Sequence, residues 1–435
     1  MVYDKTAQQA APLPTTVFTA AGGKAGTGNV EFLPFYDGDI GTLYFPDSQF
    51  LTRQTGPIAH AGQWMAADFT AWSRDALTFN NAWLRFASGF RLDVTNALVV
   101  QGTDNRLHKL EVPSGDVSCG AAVVNKASLV MKADGAVAPS LVCSSFDVTN
   151  AAAFHVYAFA TAAPETPGAR VEVANAMTVG AASWVHPVSN PTNGASPEFL
   201  VGKLDVLAGS GFDASFRGYR GGPFASNGYG PGMGKGTGSG GGGGHGGSGG
   251  GFTALLCGIT NDHSYAQIFA GSSGAGGGRN DMAYHSTGGW GGGEVRIRAS
   301  GDVNLAGSLL ANGGTGWGWN AGGGAGGAIW VECRKFAGSA AAVLSANGGK
   351  GSGDSSGSGG GGRIAVWHGV SDEERPTLMA GDWSDAVVTA THDDYAGTLS
   401  VLKGADIRAG CPPANPGTAL FLTVPPPPAT IFIVR

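Results

Sequence analysis

Val295-Arg296-Ile297-Arg298, Val303-Asn304-Leu305-Ala306-Gly307-Ser308 and Ala311-Asn312-Gly313-Gly314 make one phrase, and the chain repeats it. It returns as Ile329-Trp330-Val331-Glu332, Phe336-Ala337-Gly338-Ser339 and Ala346-Asn347-Gly348-Gly349, and opens again at Gly362-Arg363-Ile364-Ala365-Val366-Trp367. The offset is 35 residues both from Gly313 to Gly348 and from Ile329 to Ile364. A two-residue period puts Val295 and Ile297 on one face of a strand, and Arg296 and Arg298 on the other. Such a strand cannot bury its own apolar face. Stacking copies into parallel ladders builds a continuous core and leaves edges only at the two ends. The expected fold class is all-β: a parallel β-helix (β-solenoid) with Gly-rich loop excursions.

Three zones surround this phrase. Residues 1–217 read as a β-rich N-terminal solenoid part, with alternating runs such as Trp83-Leu84-Arg85-Phe86 and Arg91-Leu92-Asp93-Val94. Asp93-Val94-Thr95-Asn96-Ala97 recurs as Asp147-Val148-Thr149-Asn150-Ala151 and, more loosely, as Glu172-Val173-Ala174-Asn175-Ala176, which places Asn at the corners between strands. Residues 218–363 hold 51 of the 76 Gly; their tracts lie inside the repeat unit, so at least partial order is expected, with floppy-linker behaviour of runs such as Gly240 to Gly244 the alternative. Residues 364–435 return to β composition as a C-terminal cap. Its Pro-rich tail, Pro425 to Pro428, cannot join a central ladder.

Composition excludes several classes. Charged residues are 13% of 435 and the net charge is −6 without a basic stripe, which excludes nucleic acid as the expected partner. No apolar run reaches the roughly 18 residues of a membrane-spanning helix. Cys119, Cys143, Cys257, Cys333 and Cys411 are scattered, with no C-x-x-C, and read as small buried apolar residues, not as a zinc site or disulfide framework. Neither a metal nor a cofactor is expected.

The sequence Ile329-Trp330-Val331-Glu332, Ala337-Gly338-Ser339, Ser345-Ala346-Asn347-Gly348-Gly349, set between Gly tracts, resembles the glycine-rich repeats of large exported bacterial surface proteins. Phage tail adhesins with Gly-rich tracts are the second resemblance. The likeness covers about residues 200–370. It implies a parallel β-helix, an extracellular or cell-surface location, and a structural or adhesive role.

Chemical motifs are sparse. Asn261-Asp262-His263 and Arg279-Asn280-Asp281 with Tyr284 and His285 lie in the long excursion between Gly tracts. Asp262, His263, Asp281 and His285 are therefore the catalytic candidates, suited to β-elimination or glycoside cleavage if the protein is a carbohydrate-active enzyme. His392-Asp393-Asp394-Tyr395 is a weaker cluster of the same kind. Gly246-Gly247-Ser248-Gly249-Gly250 fits a nucleophile-elbow pattern by composition alone. Trp317 and Trp319, between Gly and Asn, are candidates for stacking on a glycan, whereas Trp330 and Trp367 sit in the repeat where packing against Gly tracts explains them. Ile431, Phe432, Ile433 and Val434 form a terminal apolar strand suited to self-association into an oligomer or fibre. The expected function is an extracellular structural or adhesive surface protein; the alternative is a carbohydrate-active enzyme or glycan-binding module on the same fold.

Overall fold

The computed structural model describes residues 4–23, 38–66, 69–134, 137–161, 166–223, 226–236, 238–260, 286–405 and 411–425. Strand accounts for 39% and helix for 5%, which makes the protein all-β. The chain alternates between two parallel ladders. One consists of long strands: Arg91–Gln101, Asp116–Asn125, Ser140–Thr149, Ala169–Val179 and Pro197–Val206, each in register with the one before. Between them come the short strands of the other: Lys109–Glu111, Ser128–Met131, Ala153–Tyr157, Trp184–Val188 and Gly211–Asp213. Each of these strands pairs with the one two before it in the chain. The ladders continue through the glycine-rich zone, and the repeat is one ladder step: Val295 lies beside Ile329, 34 residues on, and Ile329 beside Ile364, 35 residues on.

Alternation decides the core. Leu141, Val171, Phe199, Ile297, Val331, Val366 and Phe421 form one register column on the inward face, and none is more than 2% exposed. Removing each such side chain from water stabilises the fold by roughly 1.5–3 kcal/mol. The core they share runs unbroken from Phe45 to Phe421.

The long strands bend at a fixed place. Thr95 and Asn96 together oppose Gly120, and Ala174 and Asn175 together oppose Gly202. A Cβ on Gly120 would lie 2.4 Å from the Asn96 carbonyl oxygen, and one on Gly202 would lie 2.3 Å from that of Asn175. These are β-bulges, each seated on a glycine of the next strand. The expectation of Asn at corners is corrected here. Asn96 and Asn175 sit in mid-strand bulges, and only Asn150, at φ 58°, turns a corner.

The glycine tracts are ordered hairpins that leave the short-strand ladder and return to the long-strand one. One runs out over 311–316 and back over 321–327; the next runs out over 346–351 and back over 357–362. Their sideways hydrogen bonds recur every third residue. Gly323 and Gly326 donate to Gly357 and Gly360, both at 2.9 Å, and Gly289 and Gly292 donate to Gly322 and Ala325 at 2.8 and 2.9 Å. Antiparallel neighbours keep the same step: Gly324 and Gly327 donate to Gly314 and Ala311 at 2.8 and 2.6 Å. A repeat of three is the pitch of a polyproline-II-type helix, which has no internal hydrogen bonds and points successive backbone groups in three directions. The lane 321–327 accordingly bonds five others, including Gly243 and Gly349. This satisfies backbone polar groups that would otherwise be buried unpaired. Gly240 to Gly244 belong to this layer and are no linker.

Aromatic packing caps the start of the short-strand ladder, and an exposed antiparallel strand forms the last edge of the long-strand one. Phe45 stacks on Trp64 at 4.2 Å and meets Phe18 edge-on at 5.3 Å, while Arg53 donates to the carbonyls of Gln8 and Ala11. At the other end Val387–Thr389 pairs antiparallel with Thr418–Thr423. No helix among the described residues is long and apolar enough to cross a membrane.

A Cβ on Gly324 would stand 2.0 Å from the Trp290 carbonyl oxygen, whereas one on Gly56 meets nothing within 4 Å. Gly324→Ala is expected to cost about 2 kcal/mol or more of stability, and Gly56→Ala less than about 0.5. Denaturant unfolding checks this; equal effects would contradict a close-packed glycine layer.

Candidate functional site

The tip of the hairpin 311–327 carries Trp317-Gly318-Trp319-Asn320. Gly318 at φ 87° and Asn320 at φ 51° make the reversal. The tip backbone is held on both sides. Trp317 and Thr287 exchange two backbone hydrogen bonds of 2.9 Å. The Ser286 hydroxyl donates to the Trp319 carbonyl and accepts from its N–H, both at 3.0 Å, and the Ser352 hydroxyl donates to Gly318 at 2.7 Å. Trp317 is 46% and Trp319 53% exposed. Trp290, on the adjacent lane, is 40% exposed and its carbonyl accepts from Gly314.

Phe216 extends this aromatic edge and was not legible from residue type. It is 49% exposed, flanks Gly314, and holds φ 61°. An aromatic residue in the left-handed region is strained, and such strain concentrates at functional surfaces.

No family model, curated protein or solved structure matches this chain. Its chemistry rests on its own residues.

The other candidates fall elsewhere. Asp262, His263, Asp281 and His285, and the strand Ile431, Phe432, Ile433 and Val434, lie outside the described residues. His392 stacks on His368 at 4.2 Å and Tyr395 packs on Phe421, so that cluster covers the core end. Ser248 accepts a hydrogen bond from Asn415 within a glycine lane, with no strand-to-helix turn. Trp330 and Trp367 are buried and share a cluster with Leu378, Leu420, Leu422 and the 370–386 segment. Cys119, Cys143 and Cys333 are buried; Cys257 and Cys411 are partly exposed. Among the described residues no group of three or more His, Cys, Asp and Glu is arranged to hold a metal ion.

Two polar clusters appear on outward faces. On the short-strand ladder, Glu111 accepts from Trp83 Nε1 at 2.6 Å and from Arg85 Nε at 2.7 Å. Two rungs on, His155 stacks on its register partner His186 at 4.6 Å, beside Tyr157 and with Asp213 held by Arg217. Burial, then the Arg217 charge, pushes His186 down to about 4. Burial and then its neighbour His186 put His155 well below its usual range. Both imidazoles are therefore neutral at pH 7.

On the long-strand ladder, Glu198, Arg296, Arg298, Glu332 and Arg375 interlock. Their signal was in the sequence as charges alternating with Val295 and Ile297. Beside them Glu294 is fully enclosed; burial, opposed by Arg296, raises it from 4.5 to about 7.

The sign for Glu294 is definite. Between pH 4.5 and 7 the folded protein keeps a proton that the unfolded chain has released, so this group costs stability as pH rises. Glu294→Gln is expected to match the wild type near pH 4 and to gain roughly 2–3 kcal/mol above pH 7. His186 runs the other way: its contribution is complete above pH 6.5 and is lost as pH falls toward 4. Thermal unfolding of Glu294→Gln and His186→Asn from pH 4 to 8 checks both; pH-independent differences would refute the assignment.

Proposed function

We propose that this chain is an extracellular, adhesive surface protein: a parallel β-solenoid whose glycine side layer presents a rigid aromatic tip to a glycan. The observation that carries the reading is the pairing of exposed Trp317 and Trp319 with a backbone fixed by Ser286, Thr287 and Ser352. An indole face stacks well on the C–H face of a sugar ring, and a tip already ordered loses little entropy when it binds. The solenoid reading is supported by the alternation of the chain between two in-register parallel ladders around one core.

A second reading, a carbohydrate-active enzyme, is favoured by the neutral His155–His186 pair beside Tyr157 and Arg217. Cleavage of a uronic-acid polysaccharide that disappears in His186→Ala would replace the adhesive reading with this one.

For the adhesive reading, a glycan array probed with the wild type and with Trp317→Ala/Trp319→Ala is the measurement. Retention on at least one glycan class, reduced tenfold or more in the double variant, is expected; undiminished retention would remove the tip from the interaction.

A further inference from the structure

A groove of about 610 Å³ crosses the outward face of the long-strand ladder, lined by Val142, Glu172, Leu200, Arg298, Asp372 and Arg375 among others. Its floor is the sheet and its wall is the 369–375 segment. That volume is within the range of small-molecule sites.

Arg298 is the group in it that the fold leaves unused. Its charge is balanced from behind by Glu198 and Glu332, whose side chains are only 7% and 5% exposed. Yet neither touches it at hydrogen-bond distance: Nη1 lies 3.7 Å from Glu198 Oε1, and Nε lies 3.6 Å from Glu332 Oε2. Both carboxylate oxygens and Arg298 Nε are buried without a hydrogen-bond partner. The other guanidiniums are engaged. Arg375 donates to Glu332 at 2.6 Å and to Asp372 at 2.5 Å, and Arg334 donates to Asp302 at 2.9 Å. Arg298 is 30% exposed, and its terminal nitrogens are the uncommitted donors on the groove floor. A planar fork of this kind matches a carboxylate.

The rim indicates what carries that carboxylate. Glu172 is 37% exposed and Asp372 87%; Arg170 takes Oε1 of the first and Arg375 takes Oδ1 of the second, which leaves the other oxygen of each as an acceptor at the lip of the groove. Hydroxyl groups donate to such oxygens, and an acidic peptide, whose side chains are carboxylates alone, has no hydroxyls to offer them. One donor fork on the floor with acceptors around it is complementary to a ring bearing one carboxylate and several hydroxyls. We propose that this groove binds a uronate-bearing saccharide, with its carboxylate on Arg298 and its hydroxyls toward Glu172 and Asp372. The site is separate from the Trp317–Trp319 tip, and neither reading needs the other.

Calorimetric titration of the full chain with trimers of galacturonate, glucuronate and mannuronate, a neutral galactose trimer and a poly-glutamate peptide tests it. At least one uronate trimer is expected to bind, tenfold or more tighter than the neutral trimer and the peptide. Arg298→Ala should weaken it at least tenfold. Because that variant strips Glu198 and Glu332 of a partner, Leu200→Trp supplies the second arm: it fills the groove, leaves the charge network whole, and should abolish binding at an unchanged melting temperature. Trp317→Ala/Trp319→Ala should bind as the wild type does, whatever its behaviour on the glycan array. Failure of every uronate trimer, equal binding of the neutral trimer or peptide, or undiminished binding by Leu200→Trp would overturn the proposal.

Discussion

The spacing between rungs governs this molecule. Parallel strands sit about 4.8 Å apart, and the glycine hairpins 311–327 and 346–362 each start and end on a strand, so their lanes inherit positions that the ladders set. At that separation a lane has room for backbone and little else. A Cβ on Gly242 would lie 1.9 Å from the Ser358 carbonyl oxygen, and one on Gly359 1.9 Å from that of Gly324. The absence of side chains is thus a packing requirement. It lets each lane bond to neighbours on several sides, where a β-strand bonds to two. The apolar core and the glycine layer are two solutions to one problem, burying a face that a single rung cannot bury.

Much of this was legible in the chain. Alternation at Val295–Arg298 identified inward and outward positions, and the 35-residue offset between Ile329 and Ile364 is the ladder step itself. The three-residue step of the glycine lanes was not legible, because it lives in hydrogen bonds between tracts distant in sequence, such as Gly243 to Gly323, and tracts without side chains leave no pattern of residue types. The phrase Asp93 to Ala97 misled for a related reason. Its copy at Asp147 to Ala151 has the same letters in a different place on the rung, because a bulge depends on the glycine facing it from the next strand.

The candidate site divides along the same line. Trp317 and Trp319 were readable as aromatics among residues that bury nothing. Phe216 was not, since its interest lies in its backbone angle. The polar columns were half readable: Arg296 and Arg298 stood out as charges in an apolar run, but their partners Glu198 and Glu332 lie on other rungs and are identified only by register. His155 and His186 are 31 residues apart and become neighbours because two rungs happen to stack.

Burying so many charges on outward faces needs a reason, because paired ions in a low-dielectric setting seldom stabilise a fold beyond what apolar residues would. Glu198 illustrates it: 7% exposed and shared between Arg296 at 3.2 Å and Arg298 at 3.7 Å, it holds two guanidiniums side by side. A site built only for stability would close those distances. The spacing leaves the terminal nitrogens of Arg298, 30% exposed, as donors facing the groove, the feature on which the proposed carboxylate site rests. The rigid sheet beneath makes that arrangement durable, since Arg298 stands between Ile297 and Ala299, both buried in the continuous core. The same rigidity underlies the tryptophan tip. In both places the stacked strands and hydrogen-bonded lanes fix the backbone that carries the side chains, so a ligand meeting them would order less of the protein than one meeting a flexible loop.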